Sequence, residues 1–128
     1  MNTALCPCES GRAYDACCGR WHHGPLHLQA PDAEALMRSR YAAYVLELAD
    51  YLLATWYAGT RPAGDLNFEP GLRWLGLEVK RHVVVGPAAA VVEFVARSKL
   101  GGRAHRLHET SRFVREAGRW YYVDGDDC

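Results

Sequence analysis

Several features of other functional classes are missing from this 128-residue sequence. Its 15 basic and 15 acidic residues cancel, which disfavours a globally basic nucleic-acid-binding protein. No apolar run approaches the roughly 18 residues that a membrane-spanning helix needs. Residues 1–5 lack the charged and apolar regions of a signal peptide. We therefore expect a cytoplasmic protein that has no membrane partner and for which nucleic acid is a disfavoured partner.

Sequence motifs of common enzyme classes are missing as well. The chain has no serine in a nucleophile-elbow pattern, no phosphate-binding glycine loop and no dinucleotide-binding fingerprint. This favours a binding function over an enzymatic one. The apolar fraction of 49% is ordinary for a globular protein, and the length suits one domain with a substantial core.

Cysteine, in contrast, is concentrated near the start of the chain. Four cysteines fall within 13 positions: Cys6, Cys8, Cys17 and Cys18. Thiols stay reduced in the cytoplasm, where clustered cysteines indicate metal ligands before disulfides. Four thiolates complete the tetrahedral shell of Zn²⁺ and leave no position for water, so the predicted zinc is structural.

Two alternatives for these cysteines remain open. Disulfides between the first pair and the second pair need an oxidising compartment, and a bridge between the neighbours Cys17 and Cys18 would be strained. An iron–sulfur cluster also uses four cysteines, but the spacing matches neither common ferredoxin pattern.

The zinc-binding segment is placed at 1–24 and the main domain at 25–128. Residues 19–30 contain two glycines, one proline and three histidines, and we interpret this stretch as a linker. His22 and His23 could replace a cysteine as metal ligands. We interpret them as solvated linker residues.

Two helices are predicted next. The first begins near Pro31, which suits a first helical turn, and has one apolar stripe formed by Met37, Tyr41, Tyr44, Val45 and Leu48. The second is short, is capped by Asp50 and ends at Trp56. The glycine- and proline-rich stretch 58–71 is predicted as a loop with one helical turn at 65–69.

The second half of the chain alternates between apolar and polar residues, which predicts strands at 75–85, 91–98, 107–115 and 120–123. Helices followed by an antiparallel meander indicate an α+β fold. In it, a curved antiparallel sheet of about four strands packs on the N-terminal helices.

Carboxylates on the strands are the candidates for chemistry in this domain. Glu109 shares a strand face with Leu107, Ser111 and Phe113, and Glu93 shares one with Val91 and Val95. Such a carboxylate could be a general base with a raised pKa. Alternatively, it forms a structural ion pair with an arginine, and we favour this interpretation. The candidate partners are Arg40, Arg97 and Arg112.

Aromatic residues are numerous, with four tryptophans and seven tyrosines. Six of them either fill the core, which we favour, or line a pocket for a flat or apolar ligand: Trp56, Trp74, Trp120, Tyr41, Tyr44 and Tyr122. The candidate ligand-binding residues are therefore Glu93, Glu109, Arg112, Trp56 and Trp74.

The N-terminal pattern Cys6-x-Cys8-x-Ser10-Gly11-x-x-Tyr14-x-x-Cys17-Cys18-Gly19 resembles the SEC-C motif. This zinc-binding module is known from the tail of the preprotein-translocase motor SecA, where it is rich in lysine and docks on an acidic chaperone. The present segment contains only Arg12 and Arg20 as basic residues, offset by Glu9 and Asp15. The resemblance therefore implies the zinc ligands but not a SecA-type partner.

Further stretches of the sequence resemble the YchJ-like family: 36–44, 50–56, 74–77, 92–97, and 111–113 continuing through 118–125. Together with the cysteine motif, the resemblance runs from residue 6 to about residue 125. The family implies a SEC-C segment joined to a nuclear-transport-factor-two-like (cystatin-like) domain, a cone-shaped sheet wrapped on helices that often encloses a pocket. It implies no established activity.

Three functions follow from these observations. The first is a binding or adaptor module with structural zinc, which contacts another protein through the zinc segment. The second is an enzyme or small-ligand binder that uses the sheet pocket. The third is a redox or zinc sensor, in which oxidation of the thiolates releases the metal. A homo-oligomer is compatible with all three.

Overall fold

The computed structural model describes residues 4–128. Residues 1–3, the start of the predicted zinc-binding segment, lie outside the described residues. The elements in chain order are a 3₁₀ turn at Tyr14–Ala16, helices α1 Gly19–His22, α2 Ala33–Leu46 and α3 Ala49–Ala54, and strands β1 Arg73–Gly86, β2 Ala89–Leu100, β3 Arg103–Glu116 and β4 Arg119–Asp127. The predicted α+β architecture is confirmed.

The four strands form one antiparallel meander in the order β1-β2-β3-β4. Three register shifts interrupt the pairing of β1 with β2, and shifts of this kind bend a strand. Each strand is longer than predicted. At the start of β3, residues 103–106 are exposed on both faces, so the apolar-polar alternation fades there although backbone pairing continues.

Helix α2 begins later than predicted. Asp32 is its N-cap, and the side chain of Asp32 accepts a hydrogen bond from the backbone N–H of Ala35 at 2.7 Å. Pro31 therefore precedes the helix. The predicted apolar stripe is confirmed for four of its residues, because Met37 and Tyr41 are buried and Tyr44 and Val45 pack against the core. Leu48 also packs there, but it lies beyond the end of α2 at Leu46.

Three local predictions were wrong. Residues 19–22 of the predicted linker form α1. Asp50 lies within the first turn of α3 and caps nothing, since the N-cap position is Leu48. Residues 65–69 are not helical. A single isolated turn fixes several residues for one hydrogen bond, so it rarely forms without tertiary contacts.

One continuous core joins the cysteine segment, α2, α3 and the sheet. Its most buried members, each at most 2% exposed, include Cys8, Leu36, Leu52, Val92 and Phe113. The inner face of the sheet, which carries Val92, Phe94, Ala96, Ser111 and Phe113, packs on this core. We call the opposite side the outer face. Between residues 4 and 128, no helix is long and apolar enough to cross a membrane.

Helices α2 and α3 are joined by a buried hydrogen bond that we expect to be measurable. Ser39 Oγ donates to Leu36 O at 2.7 Å and lies 2.7 Å from Tyr51 Oη, which therefore donates to it. Tyr51→Phe should lower the free energy of unfolding by about 1 kcal/mol, because the hydroxyl is lost and its acceptor stays buried. Tyr121→Phe, outside the core, should change it by less than about 0.5 kcal/mol. Urea unfolding measures both, and equal losses would contradict the assignment.

Candidate metal centre and ligand pocket

A short backbone hairpin brings the first two cysteines beside the second two. The N–H of Cys6 donates to Arg12 O and the N–H of Tyr14 donates to Ala4 O, both at 2.8 Å. The turn between them needs positive φ at Glu9 (68°) and at Gly11 (83°), where glycine costs nothing sterically. The 3₁₀ turn Tyr14–Ala16 then reverses the chain, so that the second cysteine pair returns to the first.

The four sulfur atoms lie within 4.8 Å of one another, and the cysteines are 0–6% exposed. No disulfide joins them, and Cys8 Sγ lies 3.6 Å from Cys17 Sγ. Zn–S bonds of about 2.3 Å in a tetrahedron place the sulfurs about 3.8 Å apart. Only small shifts would therefore bring the four ligands to zinc geometry. Four buried thiols are the ligand set expected of a closed structural zinc site.

Hydrogen bonds among the thiols perturb their acidity. The hydrogen bond with Cys18 lowers the pKa of Cys6, but the hydrogen bond with Cys8 and burial outweigh it and raise that pKa to about 11. Hydrogen bonds with Cys6 and Cys8, together with burial, also raise the pKa of Cys18. Buried sulfurs in mutual contact cannot all ionise alone, and a divalent cation removes this conflict.

His22 is buried rather than solvated, which corrects the interpretation drawn from the sequence. Its Nε2 lies 2.8 Å from Ser39 O and its Nδ1 lies 2.5 Å from Tyr14 Oη. Burial lowers the pKa of His22, so the ring is neutral, with Nε2–H donating to the carbonyl and Nδ1 accepting from the tyrosine. His22 thus fastens the cysteine segment to α2. His23 is exposed, as expected.

Arg38 provides a second link between the same two parts. Its Nη1 donates to Cys8 O at 2.9 Å, while its Nε donates to Glu34 Oε2 at 3.1 Å. Ser10 Oγ lies 3.1 Å from Cys17 Sγ. The cysteine segment is therefore held on the main domain by polar contacts as well as by core packing.

A cavity of about 300 Å³ lies between α2 and the inner face of the sheet. Its apolar walls come from α2, β2 and β3, including Met37, Phe94, Ala96, Leu107 and Phe113. Five of the six aromatic residues considered from the sequence also line it: Tyr41, Tyr44, Trp56, Trp74 and Tyr122. The favoured interpretation as core filling was incomplete, because these rings pack on the core and also bound a cavity.

Arg40 is the cation in this cavity wall, although it is only 6% exposed. Its Nη1 donates to Leu52 O at 2.8 Å and to Thr55 Oγ1 at 2.7 Å. The guanidinium carbon lies 5.1 Å from the ring centre of Trp56 and 4.7 Å from that of Tyr122. Burial lowers the pKa of Arg40, but a guanidinium stays protonated in proteins. Among residues 4–128, no carboxylate lies within ion-pair distance of it.

Two other polar groups belong to the cavity wall. Glu109 accepts a hydrogen bond from Ser111 Oγ at 2.5 Å. Its side chain lies over Gly125, where a Cβ atom would collide with it, so glycine makes room for the carboxylate. The indole N–H of Trp56 is buried without an acceptor among the described residues.

The five candidate ligand-binding residues divide between the two faces of the sheet. Trp56, Trp74 and Glu109 line the cavity. Glu93 and Arg112 lie on the outer face, where Glu93 Oε2 is 2.7 Å from His108 Nε2 and Arg112 binds Asp124 and Asp126. Their separation follows from strand alternation, because Phe94 pairs with Glu109 and its neighbour Glu93 must point the other way.

Arg40 is the cavity residue that the sequence interpretation missed, since it was considered only as an ion-pair partner of a strand carboxylate. The position of Arg40 in the sequence could have indicated its place in the cavity wall. Arg40 lies four residues after Leu36 and four before Tyr44, so it shares their face of α2. A lone arginine within an apolar helix stripe indicates a buried cation.

The His22 link gives a stability prediction. His22→Leu leaves Tyr14 Oη buried without its partner and removes the side-chain donor to Ser39 O, which should lower the free energy of unfolding by about 1–3 kcal/mol. His23→Leu, one position away and exposed, is the matched control and should cost less than about 0.5 kcal/mol. Chemical denaturation of both variants measures this, and similar losses in the two would refute the bridging role.

Comparison with known protein families agrees with this geometry. Residues 32–125 match the model of the middle, NTF2-like domain of YchJ, and residues 3–20 match the SEC-C motif. A UPF0225 protein from Methylibium petroleiphilum is 66% identical over 121 residues, covering 94% of this chain and 88% of that protein. A UPF0225 protein from Bordetella parapertussis is 59% identical over 126 residues, covering 96% and 92%.

Two solved structures share the architecture. The solution structure of a SEC-C motif containing protein from Rhodopseudomonas palustris superposes with a TM-score of 0.82 at 35% identity, covering 100% of this chain and 99% of that one. The crystal structure of a SEC-C motif containing protein from Psychrobacter arcticus gives a TM-score of 0.77 at 30% identity, covering 93% and 80%. The chain therefore belongs to the UPF0225 family, in which a SEC-C motif precedes a YchJ-type NTF2-like domain.

Proposed function

We propose that this protein is a cytoplasmic small-ligand-binding protein stabilised by structural zinc. The ligand occupies the cavity between α2 and the sheet, and it combines an apolar or aromatic body with an anionic group. One observation carries this proposal: Arg40 is a buried cation in an apolar cavity wall and has no carboxylate partner among residues 4–128.

Zinc is assigned to Cys6, Cys8, Cys17 and Cys18. This assignment is supported by the burial of the four sulfurs and by their sulfur–sulfur distances, which are close to those of a tetrahedral zinc site. Bound zinc would supply no reactive position, since the four sulfurs fill its shell. Its contribution would be to fix the segment that holds α2 through His22 and Arg38.

The charge of Arg40 defines the ligand. Burying an uncompensated guanidinium is costly, and here three neutral groups (Leu52 O, Thr55 Oγ1 and the Tyr44 side chain) and two aromatic rings offset only part of that cost. A carboxylate or similar anion would complete the compensation by a charge-assisted hydrogen bond. The aromatic rings around the cavity suit a flat body. Glu109 offers an acceptor for a hydroxyl or amine at another point of the ligand.

The other two functions considered from the sequence receive less support. Docking of a protein through the zinc segment needs a free surface, but contacts with α2 occupy one side of this segment. Redox sensing needs accessible thiolates, and these sulfurs belong to residues at most 6% exposed. Ser111 and Glu109 are hydrogen-bonded in the cavity wall, but Ser111 is only 1% exposed and a nucleophile must reach its substrate, so we propose binding rather than catalysis.

The zinc assignment predicts a large effect of removing one ligand. Cys8→Ser should lose the tightly held zinc and more than about 3 kcal/mol of stability, because metal binding to a structural site contributes directly to folding. His23→Leu, which changes an exposed residue outside the proposed ligands, should keep that zinc. Metal analysis after exhaustive washing with a moderate chelator, together with thermal unfolding, measures both effects. A metal-free wild type, or equal zinc in both variants, would rule the assignment out.

The pocket assignment predicts selectivity for an anion. We expect 1-naphthoate to bind more tightly than its neutral analogue 1-naphthamide. Arg40→Met should weaken naphthoate binding at least about tenfold, a change of about 1.4 kcal/mol. The same variant should leave naphthamide binding nearly unchanged. Titrations followed by ¹H–¹⁵N spectra measure the affinities and report folding.

Glu109→Gln is a control, because its expected effect on naphthoate affinity is opposite to that of Arg40→Met. Removing this negative charge from the cavity should leave naphthoate binding unchanged or strengthen it, whereas a general loss of cavity shape would weaken it. Equal binding of both probes to wild type and Arg40→Met would contradict the proposed role of Arg40.

A further inference from the structure

We propose that Glu93, His108 and Cys128 form a second metal site, on the outer face of the sheet, that binds Zn²⁺ with an open coordination position. The site is separate from the four-cysteine cluster and from the cavity, because the sheet lies between it and α2. One carboxylate oxygen, one imidazole nitrogen and one sulfur from these residues lie within 4.8 Å of one another.

The sheet register places these residues together. Glu93 on β2 pairs with Thr110 on β3, and His108 lies two residues before Thr110, on the same face. Cys128 directly follows β4, and its N–H donates to His108 O at 2.9 Å. Three neighbouring chain segments thus each supply one ligand. A hydrogen-bonded sheet holds such ligands more firmly than loops do.

The distances suit zinc after small adjustments. In a tetrahedral zinc site, a sulfur, a nitrogen and an oxygen ligand lie about 3.4–3.6 Å apart. Glu93 Oε2 is now 2.7 Å from His108 Nε2, joined by a hydrogen bond that a metal would replace. All three atoms lie within 4.8 Å, so movements of roughly 1 Å bring them to coordinating positions. Rotation of these half-buried and exposed side chains is enough.

The donor set selects the metal. Sulfur with imidazole and one carboxylate suits Zn²⁺ or a similar borderline ion, whereas Mg²⁺ and Ca²⁺ prefer oxygen ligands alone. Three protein ligands leave the fourth position to water, the pattern of zinc sites that exchange ligands. Arg81 approaches Glu93 Oε1 at 3.7 Å, but its side chain is 62% exposed and is free to turn towards solvent. It therefore does not block the other carboxylate oxygen.

Cobalt substitution tests this site in the full chain. Protein purified with zinc is washed with a moderate chelator to empty the open site, freed of the chelator and kept reduced. It is then titrated with Co²⁺, and the absorption of sulfur-to-cobalt charge transfer is recorded for wild type and Cys128→Ser. We expect wild type to bind one more Co²⁺ per chain than Cys128→Ser, with a charge-transfer band in the difference spectrum. His108→Gln should weaken this additional binding at least tenfold.

His105→Gln is the matched control, since His105 is an exposed histidine of the same strand. It should behave like wild type. The variants change surface residues, and circular dichroism verifies that they fold. The proposal is overturned if the two titrations coincide, if the band persists in Cys128→Ser, or if His105→Gln weakens binding as much as His108→Gln does.

Discussion

The fixation of helix α2 is the constraint on which the rest of the structure depends. Three successive residues of this helix connect it to different parts of the molecule. Arg38 donates to Cys8 O in the cysteine segment, and Ser39 meets both His22 and Tyr51. Arg40 donates to Leu52 O and Thr55 Oγ1 at the end of α3. Successive helical residues point about 100° apart, so one turn can hold three neighbours.

This arrangement links the cysteine segment to the cavity. Arg40 is adjacent in sequence to Ser39, and the carbonyl of Ser39 is the acceptor for His22. A metal in the cysteine cluster would therefore stabilise the element that carries the cationic wall of the cavity. The segment with the SEC-C motif is part of the common core and contributes to the shape of the domain.

The two faces of the sheet have different chemistry because successive side chains along a strand point to opposite faces. Phe94, Ser111 and Phe113 point towards α2 and bound the cavity, whereas Glu93, His108 and Arg112 point outwards. The outer face is covered by charged side chains that pair across strands, such as Arg112 with Asp124 and Asp126. One sheet thus presents an apolar wall to the cavity and a polar surface on its other side.

The sequence by itself determined the cysteine cluster, the α+β class and the approximate strands, because these depend on local spacing and alternation. It also indicated that Glu109 shares a strand face with Ser111 and Phe113, and all three line the cavity. It could not decide which face of β2 meets the helix, so Glu93 was grouped with Glu109. Only the tertiary structure decided that His22 is buried, that Arg40 has no acidic partner among residues 4–128 and that Cys128 reaches His108. These relations join residues distant in the chain, and they are set by strand register and helix packing rather than by local sequence.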